Sequence, residues 1–163
     1  MPSVTQNHSL EQQLLLACLP VSPDLERLTL LLEKSPDWDE LHSQGQRHAV
    51  LQLIYHTLKN SPASLVPASD LNRLQREFAA HALRSMQMQK ELRRLLDLLT
   101  GAKIAVIPYK GPILGEDVYG DIALRSFVDL DLLVPPEHAQ AAVRLLLEQG
   151  FWTDFDLPQE RWA

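Results

Sequence analysis

The sequence holds one cysteine, Cys18, so it cannot build an internal disulfide framework. No apolar run approaches the roughly 20 residues that a membrane span requires. Positive charge is in the minority: 15 Lys and Arg against 21 Asp and Glu give a net charge of −6. That balance argues against a general nucleic-acid coat and against an anionic-membrane binder, while leaving room for a local basic groove. No Lys or Arg precedes Arg27, and Glu11 sits just ahead of Leu14-Leu15-Leu16-Ala17-Cys18. That stretch is faintly like a lipoprotein cleavage site, but a secretory signal opens with positive charge. The expectation is a cytoplasmic helix with a buried thiol. Internal repeats and low-complexity tracts are also missing. What remains, 45% apolar and 22% charged residues, is an ordinary globular composition. A chain of this size buries roughly 70% of its unfolded surface, enough for one domain or a small domain with a helical extension.

Composition shifts near residue 100. Five of the six glycines (Gly101, Gly111, Gly115, Gly120, Gly150) follow that point, whereas the first hundred residues are Leu-rich and punctuated by proline. An all-helical region over 1–101 and an α/β region over 102–163 are expected, an α+β chain. Four helices are predicted in the first region: Ser9 to Leu19 with Ser9 as cap, Pro23 to Lys34, Asp37 to Lys59, and Asp70 to Thr100 with Gly101 as a left-handed stop. In the third, Val50, Leu53, Ile54, Thr57 and Leu58 form one apolar stripe. The fourth mixes Arg73, Arg76, Arg84, Lys90, Arg93 and Arg94 with Asp70, Glu77, Glu91 and Asp97. Interspersed opposite charges read as a solvated face rather than a nucleic-acid stripe. In the second region, strands are predicted at 104–109 and 128–134, with a third over 151–155. Helices are predicted at 111–119 and 136–149, the latter ended by Gly150.

Three features there carry chemistry. In Val128-Asp129-Leu130-Asp131-Leu132-Leu133-Val134, strand alternation sends Val128, Leu130, Leu132 and Val134 into a core. Asp129 and Asp131 then share the other face, their Cα atoms about 6.6 to 6.8 Å apart. Strands avoid Asp, and two carboxylates on one face repel. A divalent cation reverses the sign of that interaction, and Mg²⁺ or Mn²⁺ suits such oxygen donors. Taken alone, the pair reads rather as two ordinary solvated acids on an exposed edge face. Lys110-Gly111-Pro112 stands between a strand and a helix. There the unpaired N–H groups of a helix start, a glycine that allows close approach and a lysine make a phosphate seat. Arg125 either pairs with the acids or clamps phosphate. Together these features describe a metal-assisted phosphoryl or nucleotidyl transfer site. His42, His48, His56 and His81 lie along helices without a nearby Cys or acid at zinc-ligand spacing. Cys18 has no basic neighbour to activate it.

The ordered string Ile107-Pro108-Tyr109-Lys110-Gly111-Pro112, Val118-Tyr119-Gly120-Asp121, Leu124-Arg125 and Asp129-Leu130-Asp131-Leu132-Leu133-Val134-Pro135 closely resembles the uncharacterised bacterial nucleotidyltransferase family of the DNA polymerase beta superfamily. Trp38-Asp39, Arg47-His48-Ala49-Val50 and Val66-Pro67 fall where that family has similar residues. The resemblance implies a helical extension over 1–101 and the first part of a nucleotidyltransferase core on a small mixed sheet over 102–163. It implies Asp129 and Asp131 as catalytic, metal-binding acids for Mg²⁺ or Mn²⁺. It also implies Lys110 and Gly111 in the place where the superfamily has a Gly-Ser pair, and Arg125 close to the triphosphate. The implied substrate is a nucleoside triphosphate such as ATP; the acceptor is open. The superfamily has a third carboxylate on a later strand, expected beyond residue 163. Asp154 and Asp156 read as surface acids instead. The alternative is a truncated or degraded relative, binding a nucleotide or a protein partner through its helical half without catalysis.

Overall fold

The computed structural model describes residues 8–62 and 64–154. Five helices come first: α1 Leu10–Cys18, α2 Leu25–Leu32, α3 Trp38–Arg47, α4 Leu51–Leu58 and α5 Ala68–Gly101. Strand β1 Ile107–Tyr109, helix α6 Gly111–Tyr119, a 3₁₀ turn at Ile122–Leu124, strand β2 Asp131–Leu133 and helix α7 Pro136–Glu148 follow. The described residues are thus mostly helical with a two-stranded antiparallel sheet, an α+β arrangement.

Local chemistry sets most helix ends. Ser9 caps α1 in a full capping box: its hydroxyl accepts from the Gln12 N–H while the Gln12 side chain accepts from the Ser9 N–H. Asp24, rather than a residue before Pro23, caps α2, and Asp37 caps α3. The single helix expected over 37–59 is two. His48 ends α3, Ala49 takes φ 55°, and the Val50 N–H donates to the Gly45 carbonyl at 2.9 Å. Gly45 makes the bend close-fitting, since a Cβ there would meet Ile54 Cδ1 at 2.6 Å. The break lets α3 and α4 each turn an apolar face to the same core. Gly101 does not stop α5; it is the last helical residue, Ala102 follows at φ −81°, and Lys103 takes the left-handed turn at φ 60°. Gly150, at φ 88°, follows α7 as expected.

The helical core gathers Leu14, Cys18, Leu28, Leu31, Leu41, Ile54, Leu58, Val66 and Leu74. Thr57 closes one polar gap by donating its hydroxyl proton to the Cys18 carbonyl. Cys18 is buried there, and burial pushes its thiol up to about 12. The expected result is no reaction with an aromatic disulfide reagent in the native protein and one equivalent after denaturation. A second cluster joins Leu99, Ile104 and Ala142 with Val106, Leu132, Val134 and Leu145. The 34-residue α5 reaches both clusters, through Leu74 near its start and Leu99 near its end. Its charges are partly paired, Arg73 with Asp39 at 2.8 Å and Arg94 with Glu91 at 2.7 Å, in keeping with a solvated face.

The sheet is smaller than expected. β1 covers three residues of the predicted six and pairs antiparallel with β2, Ile107 opposite Leu133, Pro108 opposite Leu132 and Tyr109 opposite Asp131. β2 also has three residues, not seven, because only these find ladder partners. Leu132 and Val134 pack inward as alternation requires, but Val128 is 89% exposed and lies in a bend. The third strand over 151–155 is not formed at 151–154, and residue 155 lies outside the described residues. The mixed sheet of the family resemblance is therefore, among the described residues, an antiparallel ribbon covered on one face by α5 and α7.

Candidate functional site

The turn from β1 into α6 is the first element of the site. Lys110 holds φ 59° and ψ −140°, a backbone region costly to any side-chain-bearing residue, and Gly111 follows at φ 51°. Two consecutive residues with positive φ reverse the chain, so that α6 starts directly off the end of the strand. Pro112 occupies the first turn of α6, where its missing N–H costs nothing. The remaining first-turn N–H groups point out of the helix start, the arrangement that seats anions. Gly115 lets α6 lie against the 3₁₀ turn, for a Cβ there would meet the Ile122 Cα at 3.2 Å. Strain of the Lys110 kind is held where the surroundings over-determine it. Lys110→Gly should therefore raise unfolding free energy by about 1 kcal/mol. It should also weaken the binding of any anion at this turn, because the ammonium is gone. Urea melts and a titration check both halves.

The other site residues converge on this turn. The Arg125 guanidinium donates to the Gly111 carbonyl at 3.4 Å. A Cβ on residue 111 would touch the Asp129 carbonyl oxygen at 3.7 Å, so the bend carrying Asp129 lies against the glycine. Asp131 stands directly across the ribbon from Tyr109, the residue before Lys110, and the Lys110 ammonium lies 5.1 Å from the Tyr109 ring centre. The five residues singled out in the sequence are thus neighbours around one turn. The reason differs from the one expected. Asp131 is half-buried in β2; Asp129 is exposed in the bend before β2, with its backbone against Gly111. Arg125, left between two readings, bonds to the turn and not to the acids. Neither Asp129 nor Asp131 forms an ion pair with another described residue.

Nothing in the sequence marks His81 for the site. It lies on α5, 44 residues before Arg125, and its Nε2 is 3.2 Å from the Arg125 carbonyl oxygen. A carbonyl only accepts, so Nε2 carries the proton. Ser85 Oγ is also 3.2 Å from Nε2, and the Phe127 ring meets the imidazole edge-on at 6.5 Å. His81 thereby ties the segment 125–127 to the long helix. Burial pushes its pKa below the ordinary 6.5; the hydrogen bond to Arg125 works against this, and Arg84 adds to the lowering. With the folded value below the unfolded one, the stabilisation is complete above pH 6.5 and fades as pH falls through the folded value. His56 shifts the same way, also chiefly by burial. His81→Gln, which keeps a donor for the Arg125 carbonyl, should flatten part of the loss of stability below pH 6.5 in thermal melts.

Other candidate acids and histidines have structural partners. Asp121 accepts the Ala123 N–H at 2.8 Å and so caps the 3₁₀ turn. His42 is buried and pairs with Glu77 at 2.9 Å. Asp154 is exposed, and Asp156 lies outside the described residues. Among the described residues no three His, Cys, Asp or Glu side chains come together to hold a metal. The donors on offer are the two aspartates. Hard carboxylate oxygens fit Mg²⁺ or Mn²⁺, which take one or two carboxylates and complete their shell with water and substrate phosphates. They do not make an all-protein cage.

No described helix is long and apolar enough to cross a membrane. No curated protein and no solved structure matches the chain. A family model described as an uncharacterised nucleotidyltransferase matches residues 34–162, which takes in α3 through α7 and every site residue named above. The chain belongs to this uncharacterised nucleotidyltransferase family.

Proposed function

We propose that the chain is a metal-dependent nucleotidyltransferase of the polymerase beta type, which moves a nucleoside monophosphate from a nucleoside triphosphate to an acceptor hydroxyl. The observation that carries this reading is the gathering of Lys110, Gly111, Arg125, Asp129 and Asp131 around the start of α6. Asp129 and Asp131 would hold Mg²⁺ or Mn²⁺, which when bound offsets phosphate charge and lowers the barrier to attack at phosphorus. Lys110, the N–H groups of the α6 start and Arg125 bind and orient the triphosphate. Arg125 is aimed by its bond to Gly111, and its backbone is held by His81. These groups set the α-phosphate in line with the acceptor and stabilise the charge on the departing pyrophosphate. A cytoplasmic setting, with abundant Mg²⁺-nucleotide, goes with this reading.

Titration calorimetry with Mg²⁺ and each nucleoside triphosphate tests it. Heat with the native protein and none with Asp129→Asn/Asp131→Asn is expected; equal heats from both remove the proposal. A second reading has one observation in its favour, the lack of a third metal-holding side chain among the described residues. On that reading the fold binds nucleotide and docks a protein partner through its helical half without transfer. Pyrophosphate release separates the two.

A further inference from the structure

A cleft of about 380 Å³ lies between the α3–α4 bend, α4 and the middle of α5, with Ser126 at its edge. Small-molecule sites begin near this size, at roughly 300 Å³. Three groups on its wall are open to a ligand. Arg84 is exposed there and forms no ion pair with another described residue. The acid on the wall, Glu77, is engaged by His42 at 2.9 Å, and α5 carries no further acid before Glu91. The cleft therefore favours negative charge. Phe78 adds a half-buried aromatic ring, braced by Tyr55 at 5.0 Å between ring centres. The third group is Nδ1 of His81. Nε2 holds the proton of the ring against the Arg125 carbonyl, and burial keeps the ring neutral at pH 7, so Nδ1 is an acceptor. Among the described residues Gln52 Oε1 is the one sealed side-chain oxygen or nitrogen without a partner; His81 Nδ1, also without one, is therefore open to solvent. His81 is only 7% exposed and lines the cleft, so the cleft is where that atom is reached.

The cleft adjoins the Lys110–Gly111 turn through one short segment. Ser126 lines the cleft, and its neighbour Arg125 reaches the Gly111 carbonyl. His81 holds the Arg125 backbone from the cleft wall. Residues 125–126 therefore border both places.

We infer that this cleft binds the acceptor, and that the acceptor is a sugar phosphate. Its phosphate pairs with the Arg84 guanidinium, the apolar face of its ring lies on Phe78, and a hydroxyl donates to His81 Nδ1. A sugar phosphate brings all three in a molecule of this size. In the transfer, an acceptor hydroxyl oxygen forms a bond to the α-phosphorus and the bond from that phosphorus to the bridging oxygen breaks. Pyrophosphate leaves with the electron pair, and the hydroxyl proton goes to water. The acceptor role rests on the transfer reading above; the site itself rests on Arg84, His81 and the cleft.

Binding in the cleft needs neither metal nor nucleotide, so two-dimensional NMR separates the two proposals. The probes are glucose 6-phosphate, fructose 6-phosphate and ribose 5-phosphate at millimolar concentration, beside the parent sugars and inorganic phosphate. At least one ester should shift the amides of Ala49, Ala80 and Ser126, with and without Mg²⁺, and equally in Asp129→Asn/Asp131→Asn. The parent sugar should bind about tenfold more weakly, and Arg84→Gln should bring the ester down to the same level. Ala80 is exposed at the cleft, so Ala80→Trp fills it without disturbing a core, and should abolish the shifts. The inference is overturned if no ester moves a cleft resonance, or if Arg84→Gln binds the ester as tightly as the native protein does. It is equally overturned if the shifts appear only at the start of α6, the result expected where that turn alone takes the phosphate. Either outcome leaves Mg²⁺-triphosphate binding to be read by itself. Cleft shifts without any triphosphate binding would keep the site and strike its acceptor role.

Discussion

Asp129→Asn/Asp131→Asn should eliminate stabilisation by Mg²⁺-nucleotide. At a ligand concentration one hundred times the dissociation constant, the native protein gains about 2.7 kcal/mol, which raises Tm by roughly 5 to 10 °C for a chain of this length. The double variant should show no rise in the same thermal melt. Transfer, once an acceptor is in hand, should fall by about 10³-fold. In buffer without divalent cation the order reverses or vanishes. Neither carboxylate has an ion-pair partner among the described residues, so replacing both by amides breaks no ion pair of the fold. A merely structural role for the aspartates predicts the opposite pattern: a loss of stability in metal-free buffer and an unchanged response to nucleotide. The melt therefore tests the role of the acids without knowledge of the acceptor.

The second large effect is on the support of the site. Leu99 is fully buried at the end of α5, against Ile104, Ala142 and the inner face of the ribbon at Leu132 and Val134. Leu99→Ala removes that packing and leaves a cavity, at a cost of about 2 to 5 kcal/mol. Tm should drop by roughly 5 to 15 °C. A three-residue, two-stranded ribbon has little stability of its own, so Asp131 depends on this cluster for its position. Nucleotide binding should weaken in the folded fraction as well. Val128→Ala is the control. At 89% exposure it should change stability by less than about 0.5 kcal/mol. Comparable losses from the two substitutions would mean that the strand runs from residue 128, as alternation alone suggested.

Those two positions show how far reading the residues goes. The helices were legible because their signals are local. Ser9 with Gln12 is a complete capping box inside four residues, Pro136 opens α7, and Gly150 follows it in the left-handed conformation. The break at Ala49 was hidden because no Pro or Gly occupies it; it is imposed by packing around Gly45, which depends on Ile54 being one helix away. Strand ends were overestimated for a similar reason. An apolar alternation says which residues tolerate a sheet, but a residue belongs to a strand only where a partner supplies the hydrogen bonds. At Ile104, Val106 and Leu130 no partner strand among the described residues does so, and yet Ile104 and Val106 still pack in the core.

The site divides in the same way. Residue types at close spacing named Lys110, Gly111, Arg125, Asp129 and Asp131 as a set, because an anion seat, a cation and paired carboxylates are chemistry that a short string can spell. The sequence by itself determines the helix periods and the family, and it offers these five residues as a candidate set. Their assembly was decided by tertiary structure. Gly111 sits against the Asp129 carbonyl, Tyr109 stands across from Asp131, and His81 reaches over 44 residues to hold Arg125. Caps and periods are energies of adjacent residues and can be read along the chain. Contacts between distant segments depend on which surfaces the packed core brings face to face, and only the folded molecule expresses that.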